Sequence, residues 1–255
     1  MGGEVPYNRR PMRVAVVTPY FDESIEWLKK CHESVLAQTH ASTHFLVADG
    51  KPRDEIGGWQ GQHIILRHPS ADWGNTPRMA GGLSAASQQF DAICFLDADC
   101  WYESNHVASL VELHQRTGAE LCTALRRLVR VSGDDAGPCP LVDGVKVVDA
   151  NTLFLTRTMY AAIGVWTLLP KELARTAPQS ILAYAHARKR TVETTGKPTV
   201  AYRVRTRAFH DDSVIEEATP ALRDDLAPHP LQATAWWRTL KREEQQRYLR
   251  IVGIV

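Results

Sequence analysis

Asp97-Ala98-Asp99 closes a short apolar run, Ala92 to Leu96. The run has the length of a buried strand, and carboxylates at i and i+2 leave a strand end on the same side. In α/β sheets, ligands bind at the C-terminal ends of the strands. Two acidic oxygen donors there suit a hard divalent ion, Mn²⁺ or Mg²⁺, with phosphate oxygens completing its shell. Alone, Asp-x-Asp is also the pattern of a solvated acidic turn, so its meaning depends on the elements that present it.

Those elements alternate. Arg13 to Val17 reads as a buried strand ending at Thr18-Pro19-Tyr20. A helix follows, capped by Asp22 or Ser24, with Ile25, Leu28, Cys31 or His32, and Val35 at helical spacing. Phe45 to Ala48 is a second strand ending at Asp49-Gly50, Lys51 to Gln62 a loop or weak helix, and His63 to Leu66 a third strand. Thr76-Pro77 reads as a cap and first helical proline, followed by Met79, Leu83, Ala86 and Phe90 on one stripe. The Asp97–Asp99 strand comes next, then a helix capped by Ser104 and a strand over Glu120 to Leu125. This alternation predicts an α/β fold, a mainly parallel sheet flanked by helices.

The second half is less regular. Ser132 to Pro140 reads as a loop, Val145–Val148 and Thr152–Thr156 as strands, and a helix follows up to Gly164. Pro178 to Arg190 reads as a helix, Thr199 to Thr206 as a strand, Pro220 to Pro230 as a linker, and Leu231 to Tyr248 as a helix carrying Trp236 and Trp237. The expected organisation is one domain over 1–255: a ligand-binding half at 13–130, a second half at 131–230 and a C-terminal helix at 231–255.

Composition narrows the class. With 255 residues and 44% apolar content the chain can bury a sizeable core. Thirty basic residues against 29 acidic ones give a net charge of +1, which argues against a nucleic acid partner bound through a general positive field. The five cysteines are odd in number and lack Cys-x-x-Cys spacing, which predicts free thiols and a cytoplasmic protein. Met1 to Met12 is polar, and no segment approaches the roughly 20 apolar residues of a span. Any membrane contact is expected to be peripheral.

The signals occur in a distinctive order: Thr18-Pro19-Tyr20, then Ser34-Val35-Leu36-Ala37-Gln38-Thr39, then Asp49-Gly50, then Gly74 to Arg78 opening a helix, then Asp97-Ala98-Asp99. Over about residues 13 to 103 this resembles the family 2-like glycosyltransferases of the GT-A fold. The resemblance implies a metal-dependent transferase, of the hexosyltransferase type, that moves a sugar from a nucleotide-sugar donor, expected to be UDP-linked, to an acceptor hydroxyl. It implies that Thr18, Pro19 and Tyr20 line the base pocket and that Asp49 accepts a hydrogen bond from base or ribose. Arg78 is implied near the donor's phosphates or sugar, Asp97 at the ribose or metal, and Asp99 as metal ligand. His210, after the late strand, stands where the family often supplies a further ligand. The acceptor (glycan, lipid-linked, small molecule or protein) and a homo-oligomeric state stay open.

Two departures from the family pattern stand out. Pro77-Arg78-Met79 replaces the usual Ala-Arg-Asn, keeping the arginine and losing the asparagine. No Glu-Asp pair opens the Pro178 helix, where inverting members usually carry their general base. Asp149, Glu172 and Asp211 are the candidates for that base; a retaining mechanism or a loss of activity are the alternatives. Arg126, Arg127 and Arg130 form a basic edge that could meet an anionic acceptor or the donor phosphates. Two other readings compete: a sugar nucleotidyltransferase, disfavoured because Thr18-Pro19-Tyr20-Phe21 has no glycine-rich phosphate loop, and a non-catalytic GT-A scaffold that binds a glycan or a protein.

Overall fold

The computed structural model describes residues 10–204 and 238–251. Its strands are β1 (Val14–Tyr20), β2 (Ser42–Asp49), β3 (Gln62–Leu66), β4 (Ala92–Phe95), β5 (Trp101–Tyr102), β6 (Leu121–Val129), β7 (Asp135–Pro138), β8 (Leu153–Thr156) and β9 (Val192–Arg203). The α-helices are α1 (Ile25–Leu36), α2 (Asn75–Ser87), α3 (His106–Thr117), α4 (Ala177–Ala187) and α5 (Arg242–Ile251). The strands build one sheet in the order β3-β2-β1-β4-β8-β6-β9-β5, with β7 paired to β6. β1 to β4 pair in parallel, and antiparallel β8 joins this half to β6, which pairs in parallel with β9.

The apolar runs are continuous because both faces of the central strands are covered. Ala15 and Val17 of β1, with Ile93 and Phe95 of β4, join a core with Ala85, Ile163, Trp166 and Ile181. Val14 and Val16, with Cys94 and Leu96, join the opposite core with Cys31, Val35, Leu110 and Phe154. All five cysteines are buried and free. Tyr248 and Ile251 of α5 pack against the first core.

The six-residue signature ending in Gln38-Thr39 joins two helices. The Ser34 hydroxyl accepts the Tyr102 N–H at 3.2 Å, and Gln38 Nε2 donates to the Ser34 and Glu103 carbonyls at 3.0 and 2.8 Å. Gln38 Oε1 accepts the Val107 N–H at 2.9 Å, so Gln38, not Ser104, caps α3. Likewise α2 begins at Asn75 and not at a Thr76 cap: Asp72 Oδ2 accepts the Thr76 N–H at 2.9 Å and its hydroxyl at 2.6 Å. Ser24 caps α1 by accepting the Trp27 N–H.

Three expectations for the second half change. Val145–Val148 is not a strand: Asp143 Oδ1 accepts the N–H groups of Val145, Lys146 and Val147 at 2.7–2.9 Å and curls the backbone into a turn. The loop expected over Ser132 to Pro140 contains β7. The segment before Gly164 is a 3-10 helix, Arg157–Thr167, and continues past that glycine. The proline-punctuated linker, Trp236 and Trp237 lie outside the described residues.

Candidate active site

The C-terminal ends of β1, β2 and β4 open into a cleft of about 460 Å³. Pro19, Tyr20, Phe21, Asp49, Asp72 and Trp73 line it, with Arg78, Asp97 and Asp99. Asp149, Arg175, Pro178 and Arg203 line it from the second half.

On the β1–β2 side, Asp49 is 6% exposed and accepts the Ser70 N–H at 2.9 Å and the Ser70 hydroxyl at 2.7 Å. Gly50 makes this approach possible. Its φ is +84°, and a Cβ there would lie 2.5 Å from the Pro69 nitrogen. The Tyr20 hydroxyl bonds His63 Nε2 at 2.7 Å, and burial raises its pKa against the opposing Arg53 N–H. Thr18 does not line the cleft. Its buried hydroxyl bonds His44 Nε2 at 2.8 Å and contacts the Cys31 sulfur, because Thr18 lies on the face of β1 that α1 covers.

At the end of β4, Arg78 is almost fully buried, donates to the Trp73 carbonyl at 2.8 Å and forms an ion pair with Asp97. The other Asp97 oxygen accepts Asn151 Nδ2 at 2.9 Å. Asp99 Oδ1 accepts the Cys100 thiol at 3.3 Å, and Arg203 Nε donates to the Asp99 carbonyl at 3.0 Å. Ligand atoms of Asp97, Asp99 and Cys100 lie within 4.8 Å of one another. Burial, then the charges of Asp99 and Asp97, hold the Cys100 thiol well above its ordinary pKa. Asp97 and Asp99 offer a pair of hard oxygen donors, which fits Mn²⁺ or Mg²⁺.

The candidate bases separate. Asp149 lines the cleft, but Arg126 Nη1 donates to its Oδ2 at 2.6 Å, and its Oδ1 accepts Asn151 Nδ2 at 2.6 Å and the Asn151 N–H at 3.0 Å. Glu172 lies in a 3-10 helix, Lys171–Thr176, and is not among the lining residues. His210 and Asp211 lie outside the described residues. The basic edge divides as well: Arg126 is buried against Asp149, whereas Arg127 pairs with Glu103 at 2.8 Å and Arg130 is exposed.

A family model described as Glycosyl transferase family 2 matches residues 15–161, more than half of the chain. The chain belongs to glycosyl transferase family 2. That membership gives it the GT-A fold. No curated protein matches the sequence. Among solved structures the fold is similar to S. aureus TarS 1–349 in complex with UDP, at 12% identity and TM-score 0.59, over 94% of this chain and 79% of that one. S. aureus TarS 1–349 aligns at 12% identity and TM-score 0.58, over 75% of this chain and 60% of that one. Against S. aureus TarS, at 12% identity and TM-score 0.59, the alignment covers 94% of this chain but only 48% of that one. The chain thus spans about half the length of TarS, and at this identity the likeness concerns the fold. Among its described residues no helix is long and apolar enough to cross a membrane.

Asn151, Asp72, Ser70, Trp73 and Arg175 carried no signal in the sequence. Asn151 in particular sits in Ala150-Asn151-Thr152, with nothing to connect it to Asp97.

Proposed function

We propose that this glycosyltransferase moves a hexose-type sugar from a uridine-linked nucleotide-sugar to an acceptor hydroxyl, with Mn²⁺ or Mg²⁺ held at the Asp97–Asp99 pair. The observation that carries the reading is the convergence of Asp97, Asp99 and Arg78 with Pro19, Tyr20 and Asp49 in one cleft. The UDP in the TarS 1–349 complex supports a nucleotide-sugar donor. Asp49 is assigned to base or ribose, and Arg78 to the diphosphate or the sugar next to it. Asp99 and Asp97 would hold the cation, which offsets the negative charge that grows on the leaving diphosphate. Arg78 adds fixed positive charge at the same place, at no reorganisation cost because Asp97 and the Trp73 carbonyl already hold its guanidinium. Asp211 is the carboxylate assigned to the acceptor's proton, with His210 as a further cation ligand.

Titration calorimetry of UDP with and without Mn²⁺ tests this. The parent should bind UDP more tightly with Mn²⁺ present. Asp99→Ala should lose at least the roughly 10–100-fold that outer-shell partners alone are worth in metal affinity, with its melting temperature kept. Equal Mn²⁺-dependent binding by the variant overturns the cation assignment, and tightest binding of ADP among UDP, GDP, CDP and ADP overturns the uridine assignment.

A further inference from the structure

Asp97 is the front of a row of five side chains: Arg78, Asp97, Asn151, Asp149 and Arg126. An arginine stands at each end, and a neutral amide separates the two carboxylates between them. Asn151 is fully buried and all its polar side-chain groups are used. Nδ2 gives one hydrogen to Asp97 Oδ2 at 2.9 Å and the other to Asp149 Oδ1 at 2.6 Å, while Oδ1 accepts the Asp97 N–H at 2.5 Å. The amide can stand only one way round, because the reverse would set its oxygen against two carboxylates. Behind it, Arg126 is 5% exposed and sits between Asp149, the Cys139 sulfur and the Tyr202 ring. Burial alone would weaken its charge, but Asp149, Tyr202 and Cys139 together raise its pKa.

A carboxylate that must receive a cation needs a fixed direction, and Asp97 is fixed from both sides: Arg78 on one oxygen, Asn151 on the other. Asp149 touches the cleft, yet Arg126 donates to one of its oxygens and Asn151 donates twice to the other. We propose that Asn151, Asp149 and Arg126 are positioning residues for Asp97, and that Asp149 is an orienting group and not the proton acceptor of the transfer. This rests on the donor and cation reading above.

The two roles of Asp149 predict opposite kinetic signatures. In Asp149→Asn an orienting role should raise the Kd of UDP with Mn²⁺ by about tenfold, as outer-shell substitutions do, while kcat at saturating donor falls less than tenfold. A base role should leave that Kd unchanged and lower kcat by about 10²–10⁴. Asn151→Asp, which sets a third carboxylate between the two, should raise the same Kd by at least the same factor. Arg126→Lys should keep it within about threefold and Arg126→Met should not, which covers an Asp149 or Asn151 variant that fails to fold. Calorimetry gives the Kd without turnover. If the parent binds UDP with Mn²⁺ and Asp149→Asn and Arg126→Met bind as tightly, the positioning role is wrong and the donor reading stands. A parent that does not bind UDP with Mn²⁺ overturns both.

Discussion

Asp49 ends β2 with one oxygen on the Ser70 N–H and the other on the Ser70 hydroxyl, each oxygen keeping a second acceptor site. A charged acceptor so fixed gives directional recognition of a base or ribose donor. Asp49→Asn keeps the size, removes the charge and turns an NH₂ toward a group that already donates. A hydrogen bond to a charged group is worth about 1.5–3 kcal/mol, so UDP affinity should fall roughly 10- to 150-fold, measured by calorimetry beside the melting temperature. An unchanged Kd would show that Asp49 serves only Ser70. Tyr20, Asp49, Arg78, Asp97 and Asp99, expected from separate motifs, meet in one cleft. Thr18 does not join them, because strand alternation puts it with Val14 and Val16 on the α1 face. Asn151 was unreadable because its partner Asp97 is 54 positions away and any polar residue would suit the local turn.

α2 is set by two opposing terms at one residue. Gly81 lies inside the helix, where alanine would be favoured by about 1 kcal/mol. A Cβ there would lie 2.5 Å from Val17 Cγ1 and 2.9 Å from Val47 Cγ2, both in the sheet. Overpacking typically costs about 1–3 kcal/mol, so crowding should win and Gly81→Ala should lower the urea midpoint. A higher midpoint would mean that α2 has room to move away from β1 and β2, and that Arg78 on the same helix is less firmly placed than described. The elements that were legible follow one physical rule: β1, β2 and β4 contain the unbroken apolar runs Val14–Val17, Phe45–Ala48 and Ala92–Phe95 because helices cover both faces, and α1 shows Leu28, Cys31, His32 and Val35 buried at helical spacing. Val145–Val148 shows where the rule fails. An apolar stretch of strand-like residues is bent by a single side chain, Asp143, whose bonds to three successive N–H groups also lower its own pKa. Local hydrogen bonding won over side-chain pattern there.

Across the whole molecule the acid response should come from buried histidines and not from net charge, which is +1. His44 and His106 are buried, and burial pushes both pKa values down to about 3. His32 is lowered too, again mainly by burial. The geometry agrees: His44 Nδ1 and His32 Nδ1 are 2.8 Å apart with room for one proton between them, His44 Nε2 meets the Thr18 hydroxyl, and His106 Nδ1 bonds the Thr199 hydroxyl at 2.7 Å. The unfolded chain takes up these protons below about pH 6.5, while the folded chain refuses them until about pH 3. In that window the unfolded state binds more protons, so stability is full above the unfolded pKa and is lost as pH falls. The loss approaches about 1.4 kcal/mol per pH unit for each such histidine. Between about pH 6.5 and 5 the ordinary carboxylates are ionised in both states, so the slope there counts histidines. Urea midpoints measured across that interval should fall steadily on acidification. His106→Asn, whose amide can keep the Thr199 contact, should start less stable but lose about one proton from the slope. If the variant titrates as steeply as the parent, His106 is not held neutral, and the packing of Tyr102 against it, 3.7 Å between ring centres, does not exclude the proton.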